Sequence, residues 1–423
     1  MRLVFEDKDE LRNFISCPDV NPSGINRFAY SPLINATNIY YSMSQTANPL
    51  EFVQVEDGME NYVISSCVNH SPDDWTGYNE KVKSLFEYLN EKYLNDLRNG
   101  KAVLLLDQSF EGYQTWWLWD FFHKQFKIYQ VPPESVIYVT GNMIVDDVYT
   151  KWADENGIQN RMKVVGYSHF ELDVAMTTYN REKEGNPLPS WEKQLEYKRT
   201  HYPIKTFGCL NKRIRPHRVW FYNYLSDSSL IFNGLVSMNV IDEHDYPFEG
   251  LTLPTSKIQQ LNRHLPLLVY EKPNNELDDN FYIRRFNDDV NLDTYITVVS
   301  EAHCGDSDQT MFLSEKLFKP IACNHPFIVM GNKDSLKMMR KMGYKTFNDF
   351  IDESYDSLPT HERLTSIIEL LKDLESYNKR EWFESMGEVV KHNHNNLIEK
   401  IKHPPAEFIE IDNYVKSYFK KLI

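Results

Sequence analysis

From residue 61 onward the chain alternates short apolar runs with longer stretches of helical period, and few architectures tolerate that order. NYVISSCV (61–68), KAVLLLD (101–107), SVIYVTGN (135–142) and MKVVGY (162–167) have the length and β-branched content of buried strands. Between the first two, NEKVKSLFEYLNEKYLNDL (79–97) is amphipathic and stops at Asn99-Gly100; GYQTWWLWDFFHKQF (112–126) and a shorter segment near 146–155 separate the rest. Parallel strands joined through a helix close almost only as right-handed βαβ units. The order therefore predicts a parallel sheet with helices on both faces.

The polar segment NREKEGNPLPSWEKQLEYKRTHYP (180–203) interrupts the pattern and reads as a connection between two blocks. Alternation resumes with the strand IKTFGCLN (204–211), the helix RPHRVWFYNYL (215–225) opened by Pro216, and the strands IFNGLVSM (231–238) and TYITVVSEA (294–302). A helix around 314–323, the strand PFIVMG (326–331) and the helix KDSLKMMRKMG (333–343), closed by Gly343, follow. Residues 240–290 show no assignable pattern, and 360–423 read as mostly helical with a break at Pro404-Pro405. A chain of 423 residues exceeds what one core organises. The expected organisation is an N-terminal α/β domain over 1–200, a C-terminal α/β domain over 201–400 and a tail helix over 401–423. In such sheets ligands bind beyond the carboxyl ends of the strands.

Hydrophobic residues at 41% supply the cores, and 46 Lys+Arg against 61 Asp+Glu leave a net charge of -15. That balance opposes non-specific binding to nucleic acid or anionic membranes, so a basic site must be local. Five cysteines (Cys17, Cys67, Cys209, Cys304, Cys323) form no CxxC pair, which favours reduced thiols in an intracellular protein. No apolar run reaches the length of a membrane span, and the start MRLVFEDKDELRNF is acidic and unlike a signal peptide. A cytoplasmic location with no membrane partner is expected, and the sequons at Asn35 and Asn69 read as chance. No P-loop, GxGxxG, GxSxG or HExxH occurs.

TMFLSEKLFKPIACNHPFIVMG (310–331) sets Glu315, Lys316 and Lys319 among apolar residues. An unpaired ammonium is costly to bury, whereas the first turn of a helix starting near Ser314 favours an anion. Spacings of three and four place the trio on one face. The pattern suits a phosphate or diphosphate site, or equally a solvated face with a Glu–Lys pair. CLNKRIRPHR (209–218) adds Lys212, Arg213, Arg215 and Arg218 at a strand-to-helix junction, either as phosphate ligands or as a surface patch.

In the first block, Asp107 ends a strand and Glu111 follows beside Gly112. Carboxylates there can act as a general base or bind hydroxyls; helix capping by Asp107 or Ser109 is the plainer reading. Trp116, Trp117 and Trp119 read as core. GDSD (305–308) has a metal-binding form but precedes the helix start, KHNHNN (391–396) reads as a polar helix face, and His303-Cys304 are adjacent and so poorly placed to act on one another.

TVVSEAHCGDSDQTMFLSEKLFKPIACNHPFIVMG resembles glycosyltransferases of the GT-B fold, most closely the fucosyltransferase-like branch. The resemblance implies two Rossmann-like domains facing across a cleft, with a mostly helical C-terminal tail. It implies that Glu301, Ser314, Glu315, Lys316 and Lys319 hold a nucleoside-diphosphate sugar, with Asn211, Arg213 and Arg218 matching the phosphate-gripping strand end. Over residues 100–355 the chain is also similar to uncharacterised transferase-like proteins of phages and large DNA viruses, through DQSFEG and HPFI; a viral chain would work in the host cytoplasm. The function implied is inverting, metal-independent sugar transfer to a hydroxyl acceptor (a glycan, a protein or a modified DNA base), without a cofactor, with Glu111 or Asp107 as base. The implied tail helix, 407–423, packs back on the first domain. A transferase acting on hydroxylated pyrimidines of DNA and a non-catalytic or virion-associated binding protein are the alternatives.

Overall fold

The computed structural model describes residues 2–5, 51–54, 58–67, 86, 89, 91–112, 117–241, 253–269, 286 and 288–421. Cys17, Asn35, Asn69, Trp116 and most of the predicted helix 79–97 lie outside the described residues. Contacts divide the chain into two units: Met1–Leu172 with Asp308–Phe312 and Lys400–Ile423, and Asp173–Ser307 with Leu313–Glu399.

Unit 1 is built on six parallel strands, β1 (Arg2–Phe5), β2 (Glu51–Gln54), β3 (Tyr62–Cys67), β4 (Ala102–Gln108), β5 (Val136–Thr140) and β6 (Lys163–Gly166), in the order β2-β1-β3-β4-β5-β6. Its helices are α1 (Glu91–Arg98), α2 (Leu118–Tyr129), α3 (Val145–Glu155) and the first turn of α4 (His169–Lys183). Successive side chains of a strand face opposite ways, and both faces are used. Tyr62, Ile64, Leu104, Leu106 and Tyr138 pack with Trp119, Phe122 and Phe126 of α2, which places Trp119 in the core as expected. Val63, Val103, Leu105, Ile137, Val139 and Val165 form the other face. Burial on both faces is why KAVLLLD reads as continuously apolar.

Unit 2 is a four-stranded parallel sheet of β7 (Lys205–Leu210), β8 (Gly234–Ser237), β9 (Thr294–Ser300) and β10 (Phe327–Met330), ordered β10-β9-β7-β8. Around it lie α5 (Trp191–Thr200), α6 (Pro216–Asp227), α7 (Thr255–Asn262), α8 (Asp288–Leu292), α9 (Glu315–Ala322), α10 (Ser335–Lys341), α11 (Thr360–Leu374), α12 (Lys379–Ser385) and α13 (Gly387–Glu399). The segment expected to connect two domains is largely helical and belongs to this unit. Its α5 buries Trp191 together with two polar residues, Gln194 and Lys198, so its inward side carries no apolar stripe to read.

The last helix, α14 (Ala406–Lys420), returns to unit 1. Phe408, Ile411, Val415 and Phe419, spaced three and four apart, lie against the β3–β6 face. At about 1.5–3 kcal/mol per fully buried large apolar side chain, this helix is an integral layer of the unit. Among the described residues no helix is long and apolar enough to cross a membrane.

Candidate functional site

The order of the second sheet fixes where a site can form. From β7 the chain moves outward to β8 on one side, then returns to β9 on the other. The crossovers therefore diverge between β7 and β9, and the gap beyond their carboxyl ends is the switch point where open α/β sheets bind ligands. Asn211 follows β7 there, and Glu301 follows β9.

Glu301 is fully buried. Its Oε1 accepts the Ser314 N–H at 3.0 Å, and its Oε2 accepts the Ser314 hydroxyl at 2.5 Å and the Ala302 N–H at 3.1 Å. Burial raises its carboxyl above the usual range, while Lys316 and the Ser314 hydroxyl work against that rise. Ser314 is the N-cap of α9, its Oγ accepting the Lys316 N–H. Lys316 Nζ reaches Glu315 Oε1 at 2.9 Å and Ser314 Oγ at 3.3 Å. Glu315 is itself buried; burial acts most strongly on it and upward, yet Lys316 and Lys319 together hold its carboxyl below the usual value. Burial pushes the Lys319 ammonium down to about 8, against the pull of Glu315. The trio 315–316–319 is thus one partly buried ionic cluster at a helix start, not a solvated face.

The far end of α9 is equally fixed. His394 Nδ1 lies 3.0 Å from Ala322 O, and Gln194 Nε2 donates to the Cys323 and Asn324 carbonyls. Asn393 clamps the backbone of Lys345 from both sides, at 2.8 and 2.9 Å. KHNHNN is therefore a set of carbonyl and amide clamps on α13, more than the polar face its letters suggest.

The basic cluster after β7 divides by role. Arg218 is buried, and its guanidinium donates to Ser300 Oγ (3.0 Å), Ser300 O (3.0 Å), Glu301 O (2.9 Å) and Arg213 O (2.9 Å). His217 Nε2 lies 3.1 Å from Glu301 O. These bonds spend Arg218 on holding the end of β9, and burial lowers its guanidinium to about 10. Lys212 and Arg213 are exposed, Arg215 is half-buried, and Asn211 is buried with its N–H on Ser237 Oγ at 2.9 Å and its Oδ1 without a partner among the described residues.

The loop after Glu301 is pinned by Arg363, a residue of α11 that no sequence pattern singles out. It is buried and donates to Gly331 O (2.6 Å), Leu358 O (2.8 Å) and Asp306 Oδ1 (2.7 Å). Asp306 also accepts the Thr360 N–H at 2.9 Å and the Thr360 hydroxyl at 2.8 Å, capping α11. The GDSD motif is thereby occupied as a cap and ion pair. No group of three or more His, Cys, Asp or Glu that could hold a metal occurs among the described residues.

In unit 1, Asp107 is fully buried at the end of β4, and its Oδ1 accepts the Ser109 N–H at 2.9 Å, an Asx turn that leads out of the strand; it caps no helix, since the next described one starts at Leu118 behind Trp117. Glu111 is exposed in the following turn, which is stapled to β5 by bonds from Gly141 N–H and Thr140 Oγ1 to the Glu111 carbonyl, both 2.8 Å. The switch of this sheet falls between β1 and β3, so neither carboxylate sits at it.

No protein-family model matches the sequence, and no curated protein does. Among solved structures the chain is similar to UDP-GlcNAc 2-epimerase from Neisseria meningitidis bound to UDP-GlcNAc, with a TM-score of 0.35 and 11% identity over 98% of this chain and 100% of that one. It is also similar to sucrose-phosphate synthase from Thermosynechococcus elongatus, with a TM-score of 0.33 and 7% identity over 78% of this chain and 93% of that one. Neither is a fucosyltransferase-like or viral protein, and likeness at this level assigns no family.

Proposed function

We propose that the chain is a glycosyltransferase that moves a sugar from a nucleoside-diphosphate sugar to a hydroxyl acceptor, without a metal and with inversion. The observation that carries this reading is the cation-bearing start of α9, held by Glu301 at the switch point of the β7–β10 sheet. A departing diphosphate develops charge on its oxygens, and fixed cations and helix N–H groups aimed there lower the barrier. Lys316 and Lys319 serve as the diphosphate ligands. Glu301 and Arg218 act one step behind them, fixing Ser314 and the end of β9. Glu315, buried between the lysines, holds their ammonium groups in place and can accept from a sugar hydroxyl.

Glu111, exposed beyond β4, serves as the base that takes the acceptor proton, with Asp107, whose Oδ1 accepts the Ser109 N–H, as the alternative. The test is donor hydrolysis and transfer by Lys316→Ala and Glu111→Gln. Loss of turnover in both, with nucleotide binding kept in Glu111→Gln, is the expected result. Full activity in Lys316→Ala would remove the diphosphate role.

A further inference from the structure

Asp308–Phe312 pack with unit 1, although the chain on either side of them, up to Ser307 and from Leu313, belongs to unit 2. This strap lies against the turns that leave β4 and β5. Asn142 donates its Nδ2 to Gln309 O at 2.7 Å and accepts the Met311 N–H on Oδ1 at 2.9 Å, and the Met143 N–H reaches Met311 O at 2.8 Å. With the backbone of 309–311 fixed, the buried Phe312 ring is seated between two glycines. A Cβ added to Gly112 would lie 2.2 Å from Phe312 Cδ2, and one added to Gly141 would lie 2.5 Å from Phe312 Cε2. Phe170 meets the same ring edge-on, with centroids 6.0 Å apart.

The turn braced in this way is the one that carries Glu111. The Glu111 N–H bonds to Gln108 O at 2.9 Å, and the Glu111 carbonyl accepts the Gly141 N–H and the Thr140 hydroxyl, both at 2.8 Å. Bonds from the end of β5 thus hold the peptide at Glu111, and the Phe312 ring holds the residue after it. Filling a core asks only for apolar side chains. Here two turns give up their side chains so that a ring from a segment distant in sequence can enter. A base must come within hydrogen-bond reach of the proton it takes, and a displacement of about 1 Å costs on the order of a hundredfold in rate.

We propose that Phe312 is a positioning residue for the acceptor base: seated between Gly112 and Gly141, it fixes the direction of the Glu111 side chain and acts on turnover through that carboxylate. The inference rests on the assignment of Glu111 as base in the reading above, and adds to it a residue from the other half of the sequence. Asn142 supports the ring by holding the strap on which it is carried.

The test is a double-mutant cycle on kcat for Phe312→Ala and Glu111→Gln in the full chain. The substrate is whichever of the UDP-, GDP-, ADP- and CMP-linked sugars most raises the wild-type melting temperature, and the readout is release of its nucleotide with water as acceptor. Phe312→Ala should lower kcat about tenfold or more with the donor KM little changed. Added to Glu111→Gln, it should cost nothing further. Equal fold-losses in the two backgrounds, or a loss confined to KM, would overturn the proposal and leave Glu111 standing as base. Full activity of Glu111→Gln, or no turnover of any of these sugars by the wild type, would overturn both. Phe312→Leu, which keeps apolar bulk without the flat ring, carries the same cycle if Phe312→Ala does not fold.

Discussion

Ser314 turns both of its donors onto Glu301, the backbone N–H at 3.0 Å from Oε1 and the hydroxyl at 2.5 Å from Oε2. One carboxylate thereby fixes the first residue of the helix that carries Lys316 and Lys319. Glu301→Gln offers a single acceptor oxygen and an NH2 that repels the second donor, so a loss of about 1.5–3 kcal/mol in urea unfolding is expected. Burial raises the Glu301 carboxyl. Its contribution is therefore fully present below the unfolded value of about 4.5 and falls as pH rises through the higher folded value. The wild-type advantage over Glu301→Gln should narrow from pH 4.5 upward; a constant difference would contradict this.

Lys198 is buried with Nζ at 2.9 Å from Asn291 O, 3.1 Å from Leu292 O and 3.3 Å from Gln194 Oε1, and 4.5 Å above the Phe383 ring. Burial pushes its ammonium down from 10.5 to about 7. Between those values the unfolded chain holds a proton that the folded protein has released. Stability from this group therefore rises with pH across that window, at most by about 1.4 kcal/mol per unit, and is lost as pH falls through 7. In Lys198→Met that slope should disappear from urea unfolding compared at pH 7.5 and 9.

Gly112 faces the Phe312 ring so closely that an added Cβ would lie 2.2 Å from Cδ2. Asn142 holds the segment bearing that ring, donating to Gln309 O at 2.7 Å and accepting from Met311 N at 2.9 Å. The ring cannot retreat freely, so Gly112→Ala should cost about 1–3 kcal/mol. In a Phe312→Ala background the same change should cost far less, and equal costs in the two backgrounds would show that the contact is not what limits Gly112.

Asp306 bonds Arg363 and the Thr360 N–H and hydroxyl. Asp306→Ala strips a cap and leaves a buried guanidinium short of its carboxylate partner, so a loss of about 2–4 kcal/mol is expected. On the metal-independent mechanism, transfer should be unchanged by EDTA. Loss of activity on chelation with recovery on adding Mg2+ or Mn2+ would contradict it.

The strands of both sheets were legible because burial on two faces writes short, largely apolar runs, as in AVLLLDQ and TYITVVS. The four-residue β1 and β2 were not, since RLVF and EFVQ are too short to separate from chance. Helix α5 was hidden because polar Gln194 and Lys198 face inward and are satisfied by carbonyls distant in sequence. Near β9, spacing put Glu315, Lys316 and Lys319 on one face of a helix starting near Ser314, without separating an anion site from a solvated face. It could not show that Arg218 is occupied by the Ser300 and Glu301 carbonyls, because that depends on β7 and β9 being neighbours. Arg363 gave no signal, since an inward arginine in THERL looks like a solvated one until Gly331 and Asp306 are seen beside it.

The central claim, an anion site for a nucleoside diphosphate at the start of α9, is tested most directly by thermal shift against UDP, GDP, ADP and CMP and their sugars. The account predicts that one nucleoside diphosphate raises the melting temperature by several degrees and loses that effect in Lys316→Ala, as linkage requires of a ligand at roughly 100 times its dissociation constant. No stabilisation by any of them at millimolar concentration, or the same stabilisation in Lys316→Ala, would contradict it.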